Sequence, residues 1–260
     1  MTSFDQVLTM KDSKKPISVG DIFTINDGGT CTVVEYLRDR QITIQHNDKH
    51  AHRAVVEGGN LRKGQIRNPF SPSVFGVGLI GFGRHKVKSE GKKTPAYTLW
   101  NGIIQRGYSE EFKRENPSYR DVSVAPEWHN YQCFAEWFHA QEYSQSPEFQ
   151  LDKDLILAGN REYSPSACSF VPSQINSILN DCAGRRGKFK QGVSFVDRRN
   201  SYVARISIRG IPVKIGSFPG EEAAYSAYLS AKTEYVRTMA EEYKPVLHPK
   251  VYQNLRSWTL

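Results

Sequence analysis

A chain of 260 residues with 38% hydrophobic and 12% aromatic content can bury real cores, and its length suits two or three small domains better than one. No run of about 18 apolar residues occurs, and the leader MTSFDQVLTMKDSKK lacks the apolar centre of a signal peptide, so neither membrane insertion nor secretion is indicated and an intracellular location is expected. The net charge of +8 is laid down in blocks: between Leu61 and Lys93 eight Lys or Arg face one acid, Glu90, and between Gly184 and Phe218 nine face Asp197 alone. The segment from Trp100 to Cys182 reverses this with six basic and twelve acidic residues, a layout suited to gripping a polyanion on either side of a site that carries carboxylates.

Residues 1–66 read as a small β domain. VGDIFTI, TCTVVEYL and QITIQH are short β-branched strands punctuated by Asn26-Asp27-Gly28-Gly29 and Asn47-Asp48, the pattern of a bent, SH3-like β-barrel whose first two strands form a hairpin. His46, His50 and His52 lie at a turn without a partner cysteine or acid cluster, which points to surface histidines rather than a metal site. Residues 67–96 follow as a basic linker rich in Gly and Pro. NPFSPSVFGVGLIGFG has neither helical nor alternating periodicity, and its glycines match no phosphate-binding fingerprint. The four cysteines, Cys31, Cys133, Cys168 and Cys182, lack CxxC spacing and read as buried free thiols.

A central domain is expected over 97–183. Leu99, Trp100, Ile103, Ile104 and Tyr108 recur at helical steps, and Phe134, Trp137 and Phe138 define a second helix in which Trp137, with Trp128 before it, serves as a core anchor. Asp152 and Asp154 then sit two apart in an apolar frame, which places both on one face of an extended strand. Ala158-Gly159-Asn160 reads as a turn, Glu162-Tyr163 as the returning strand, and Ser164-Pro165 as the start of a short helix.

Over about residues 68–180, the ordered segments TLWNGIIQRGY, PSYRDVSVAPEWHNYQCFAEWF and LDKDLILAGNREYSPSACSFVP resemble bacteriophage proteins related to HNH homing endonucleases. The resemblance implies a ββα-metal fold, metal-dependent phosphodiester hydrolysis and Asp152 as the catalytic ligand to Mg²⁺ or Mn²⁺, and Asp154, Asn160 or Ser166 of this chain could stand in for the ligands it lacks. The chain departs from the pattern at Lys153, which stands where these enzymes carry the general-base histidine, and at Ala167, which stands where the helix often carries Asn or His. Gly107 and Ala125 replace cysteines common among the relatives.

Residues 184–260 read as three strands, 191–194, 202–208 and 213–218, followed by an amphipathic helix from Glu221 to Tyr243. GVSFVDRRNSYVARISIRGIPVKIGSFPGEEAAYSAYLSAK resembles the AP2 DNA-binding domain, in which a three-stranded sheet enters the major groove and a helix packs behind it. Carried over by position, Gln191, Ser194, Arg205, Ser207 and Lys214 fall on the DNA-facing sheet, and Arg198 and Arg199 lie in the first turn, suited to phosphate. Alternation puts Tyr202, Ala204, Ile206 and Ile208 on the helix side and Val203 outward with Arg205 and Ser207.

The expected whole is an α+β protein with an N-terminal SH3-like barrel, a central ββα (HNH-like) domain and a C-terminal AP2-like sheet on a helix. Its expected role is a phage-type, sequence-directed endonuclease of homing type acting on double-stranded DNA in the cytoplasm of a bacterial host. Two alternatives stand beside it: a catalytically inactive DNA-binding protein, regulatory or architectural, on a nuclease-derived scaffold, and an adaptor that binds a host protein.

Overall fold

The computed structural model describes residues 7–8, 16–37, 40–179 and 188–259 of a mixed α+β chain. It divides into two compact units, residues 1–86 with 130–132, and residues 87–129 with 133–260. Among the described residues no helix is long and apolar enough to cross a membrane.

The first unit is a five-stranded sheet in the order β1 (Val7–Leu8), β2 (Ile22–Thr24), β3 (Thr30–Tyr36), β4 (Gln41–His46) and β5 (Arg53–Glu57). The β2–β3 hairpin turns where the Asn-Asp-Gly-Gly run predicts it, with Gly28 at φ +87°. Alternation along β3 and β4 sends Cys31, Val33, Ile42 and Ile44 inward, and the short helix α1 (Gly58–Arg62) adds Leu61 to that core. The expected barrel is not closed. β1 and β5 remain the two edges of the sheet, and the core is covered instead by α1 and Ile66.

His46 also departs from the surface role expected of it. It ends β4 on the inward phase, is 1% exposed opposite Cys31, and has no hydrogen-bond partner for either ring nitrogen among the described residues. Residues 67–86, expected as linker, form a tethered loop. The Gln132 amide nitrogen donates to the carbonyls of Ile80 and His85, and its oxygen accepts from the His85 amide. The Tyr131 hydroxyl donates to the Lys86 carbonyl and the Tyr131 amide to that of Leu79. Gly81, at φ +69°, lies directly against the Asn130 side chain, and Gly83 lies against Gln132. Gly81 and Gly83 therefore serve close approach of backbone to side chain, whereas Gly76, at φ +72°, has open space around it and serves a turn.

The second unit opens with a basic hairpin, β6 (Lys88–Ser89) and β7 (Lys92–Lys93), turning through Glu90 and Gly91 at positive φ. Thr94 then caps α2 (Pro95–Tyr108), its Oγ1 accepting from the Tyr97 amide at 3.2 Å with Pro95 at the first helical position. Ser109 caps α3 (Glu110–Glu115) in the same way. A short strand β8 (Ser123–Val124) leads to Trp128 and α4 (Tyr131–Ala140). The Trp100 indole donates to the Trp128 carbonyl at 2.7 Å, and Trp128 packs edge-on against Phe134, so Trp128 is the core anchor its sequence predicts. Gly107 sits where a side chain would meet Val124, which accounts for a residue without a side chain at that helix–strand contact.

β9 (Phe149–Asp152) pairs antiparallel with β11 (Ser169–Pro172), and α5 (Ser173–Leu179) follows at once. β10 (Glu162–Tyr163) pairs in parallel with β8. The C-terminal part is the antiparallel sheet β12 (Val193–Val196), β13 (Ser201–Ile208) and β14 (Ile211–Phe218), backed by α6 (Glu221–Glu242). Gly192, at φ +75°, lies flat on the Tyr228 ring, and Ala204, Ile206, Ala224 and Tyr228 form the layer between sheet and helix. A helix without a counterpart in the sequence reading, α7 (Pro249–Arg256), packs on α6 with Val251 and Leu255 buried. Cys31 and Cys168 are buried free thiols, pushed by burial up to about 11 and about 12. Cys133 is exposed, contrary to expectation, and Cys182 lies outside the described residues.

Two outcomes follow. Gly81→Ala forces a side chain onto Asn130 at positive φ and is expected to lower stability by about 2 kcal/mol or more in urea denaturation. His46 is held below the usual histidine range, mainly by burial and next by His52, with Asp48 and Asp27 opposing. The unfolded chain therefore takes up the proton first, so stability is full above about pH 6.5 and falls as the pH drops below it. His46→Phe is expected to flatten the decline between about pH 7 and pH 5, read as the shift in thermal midpoint.

Candidate functional site

Asp152 ends β9 opposite Ser169 of β11, so the strand that carries it pairs with residues 169–172 rather than with Glu162-Tyr163 as expected. The two-residue strand β10 is recruited by β8 instead, and residues 153–168 bridge β9 to β11 as one long loop. Ser164-Pro165 starts only a single turn, with the Cys168 amide donating to the Ser164 carbonyl, so Ala167 lies in a buried turn and not on a helix. The helix after the strand pair is α5, and its Asn176 reaches the same side as Asp152.

A cleft of about 270 Å³ is lined by Asp152, Lys153, Asp154, Arg161, Tyr119 and Asn176, among others. The Asp152 carboxylate turns back on its own loop: Oδ1 accepts from the amides of Asp154 at 2.8 Å and Leu155 at 2.7 Å. Burial raises the Asp152 carboxyl above the usual range, against the pull of these two amides. Lys153 is buried and donates to Asp154 Oδ1 at 2.6 Å and to the Asn160 carbonyl at 3.2 Å. Asn160 closes the loop from the other side, its Nδ2 donating to the carbonyls of Lys153 at 2.8 Å and Glu162 at 2.6 Å. From the far end of the chain, Asn254 donates to the carbonyls of Leu155 and Ile156.

The three residues expected to be catalytic are thus brought together, but as parts of a knot that shapes the loop. A divalent cation fits this donor set poorly. One oxygen of Asp152 is committed to two amides and the Lys153 ammonium already neutralises Asp154, while Asn176, whose amide nitrogen donates to Gln150 at 3.0 Å, keeps its oxygen as the one uncommitted neutral donor. Among the described residues no three His, Cys, Asp or Glu side chains gather as a metal site. His129 is engaged elsewhere, between the Tyr108 hydroxyl at 2.7 Å and the Val124 carbonyl. Asn176 and Arg161 escaped the sequence reading. The signal for Asn176 was the Pro172-Ser173 helix start, three residues before it.

The outer face of the β12–β14 sheet is the second candidate. Arg205 is exposed, lies directly opposite Lys214 in the register, and donates from Nη1 to Ser194 Oγ at 2.8 Å. Ser207 is exposed on the same face of β13, two residues along. A bulge at this point, where Ala204 pairs with Gly216 and Arg205 with Lys214, leaves Ile215 to pack on the helix side. Arg198 and Arg199 are exposed in the turn after β12, which closes through Asn200 at φ +45°. Two positions differ from expectation. The Gln191 amide oxygen accepts from Lys232 of α6, which turns it off the bare face. Val203 is buried, because it sits on the central strand between Ser194 and Ser217 of its two neighbours.

Comparison with protein-family models, curated proteins and solved structures gives no match for this chain. The geometry alone therefore supplies the reading. If the Asp152 loop is a structural knot, Asn160→Ala, which removes two donated hydrogen bonds and leaves carbonyls unpaired, is expected to cost about 1–3 kcal/mol in chemical denaturation.

Proposed function

We propose that the chain is a sequence-directed double-stranded-DNA-binding protein whose β12–β14 sheet, of AP2 type, lies in the major groove. The observation that carries this reading is the cation pair Arg205 and Lys214, set opposite each other across two strands on a face with no acid to offset them. Like charges in that position repel, and a phosphate-rich partner relieves the cost. Ser194 holds the Arg205 guanidinium on one side, leaving the other nitrogens for a base edge, and an arginine so placed pairs best with guanine O6 and N7. Arg198 and Arg199 at the adjoining turn suit phosphate contacts that fix register.

A second reading, an HNH-type endonuclease using Mg²⁺ or Mn²⁺, is favoured by one observation. β9, β11 and α5 follow one another as strand, antiparallel strand and helix, and Asp152 and Asn176 line one cleft. Against it stand Lys153 in the place of a base and the commitment of the carboxylates to loop contacts. The binding reading therefore leads, and cleavage is its sharpest challenge.

Both are decided by incubating the full chain with a random duplex library under Mg²⁺, Mn²⁺ and EDTA, scoring retained and cut DNA. Binding without cutting in any metal is expected. Arg205→Ala should cost about 1–3 kcal/mol and relax the preference at one position, while Lys214→Ala weakens all sequences alike and lowers the salt slope by about one. Cutting that needs metal and vanishes in Asp152→Ala would replace this reading with the nuclease.

A further inference from the structure

The first unit carries a ring stack that neither reading uses. His50 lies face to face with Phe70, centroids 4.2 Å apart and planes 12° from parallel, with its other face on the surface. Phe70 meets His52 edge-on at 5.7 Å, and His52 meets Phe82 at 4.7 Å. Phe82 is 73% exposed, the most exposed of the large hydrophobic side chains among the described residues. It is not on a loose loop: its two flanking glycines are the ones pressed against Asn130 and Gln132, and the backbone on either side is bonded to Gln132.

The segment that carries Phe70 and Phe82 is one-sided in charge. No acid occurs between Glu57 and Lys86, whereas Arg62, Lys63, Arg67, Arg84 and Lys86 do. Lys49 and Arg53, both exposed, neighbour His50 and His52 in the chain. Asp48, the acid next to His50 in the chain, is turned inward, accepting from the amides of His50 and Ala51 and from Asn68 at 2.7 Å.

We infer that the stack of His50, Phe70, His52 and Phe82 is a platform for unpaired nucleobases, and that the first unit binds single-stranded nucleic acid. The exposed rings at the two ends of the stack, His50 and Phe82, offer base-stacking surfaces indifferent to sequence, and fixed rings lose little entropy when a base lands on them. The cations beside the rings supply the sugar–phosphate contacts. A protein partner with an apolar anchor is the rival occupant. The excess of cations over acids in these segments favours a polyanion.

The test uses the full chain and fluorescent 20-nucleotide strands of thymidine and of uridine, with anisotropy read at several salt concentrations. Both strands share the recognised chemistry, and a preference for uridine would assign the RNA form. Phe82→Ala is expected to weaken single-strand binding about five- to a hundredfold, by the loss of one stacked base, while Phe82→Trp restores it. Lys49→Ala is expected to lower the salt slope by about 0.7. The Arg205→Ala, Lys214→Ala double variant is expected to leave single-strand affinity unchanged, so loss of duplex binding and loss of this site are read separately. Because Phe82 is exposed, a folding defect does not mask the result. Equal affinity of wild type and Phe82→Ala, no binding of either strand, or binding indifferent to salt would each overturn the inference.

Discussion

β11 is buried on both faces, and the second unit is arranged around that fact. Its four residues alternate as any strand does, but here both directions lead into apolar cores. Phe170 stacks on Trp137 and meets Phe138 edge-on, which ties it to the aromatic cluster of α2 and α4. Val171 points the other way, into the layer formed by α5, α6 and α7. Four residues thus weld what the sequence suggests are two domains into one compact unit. A polar residue at either position would be stranded in a core, at a cost of several kcal/mol when left without a partner. The weld also sets Asp152, because its place is fixed by register against Ser169.

Chemistry at the Asp152 cleft is then a question of what the loop can spare. Residues 153–161 have little secondary structure, so their backbone groups must find partners among side chains. Asp152, Lys153 and Asn160 meet that need, with Asn254 serving the carbonyls of 155 and 156. A carboxylate already bonded to two amides has less capacity for a substrate or cation than one presented free. The outer sheet face is the reverse: Arg205 has only the Ser194 hydroxyl as a partner and stands opposite the like-charged Lys214, so its remaining donors face solvent.

How much could be read from the chain depended on how local each signal was. α2, α6 and the last two C-terminal strands were legible because their periods run uninterrupted over many residues, whereas the first strand of that sheet, expected at 191–194, lies two residues later at Val193–Val196. The partner of β9 was not, since residues 153–168 separate the two strands and a two-residue strand closer by, β10, offers an easier hairpin. Closure of the first sheet was misjudged for a related reason: strand content is local, whereas barrel closure depends on the pairing of edges far apart. Val203 looked outward by alternation alone, which reports which face a residue is on and not what its neighbours cover. In the site, residue types were visible but their commitments were not. Lys153 was legible as an obstacle to base chemistry, while its bond to the Asn160 carbonyl depended on the loop's return.

The hold of Asn254 on the carbonyls of Leu155 and Ile156 spans 99 residues of chain. During synthesis that contact does not exist until the last strands and both final helices have been made, a delay of about 5–20 s at ribosomal speeds of about 5–20 residues per second. Through that interval the Asp152 loop has its own internal bonds but not its outer brace, and Leu155 and Ile156 lack the α6 and α7 surface that later covers them. A nascent chain therefore passes through a stage with its apolar loop exposed, the stage at which a chaperone has most reason to bind it.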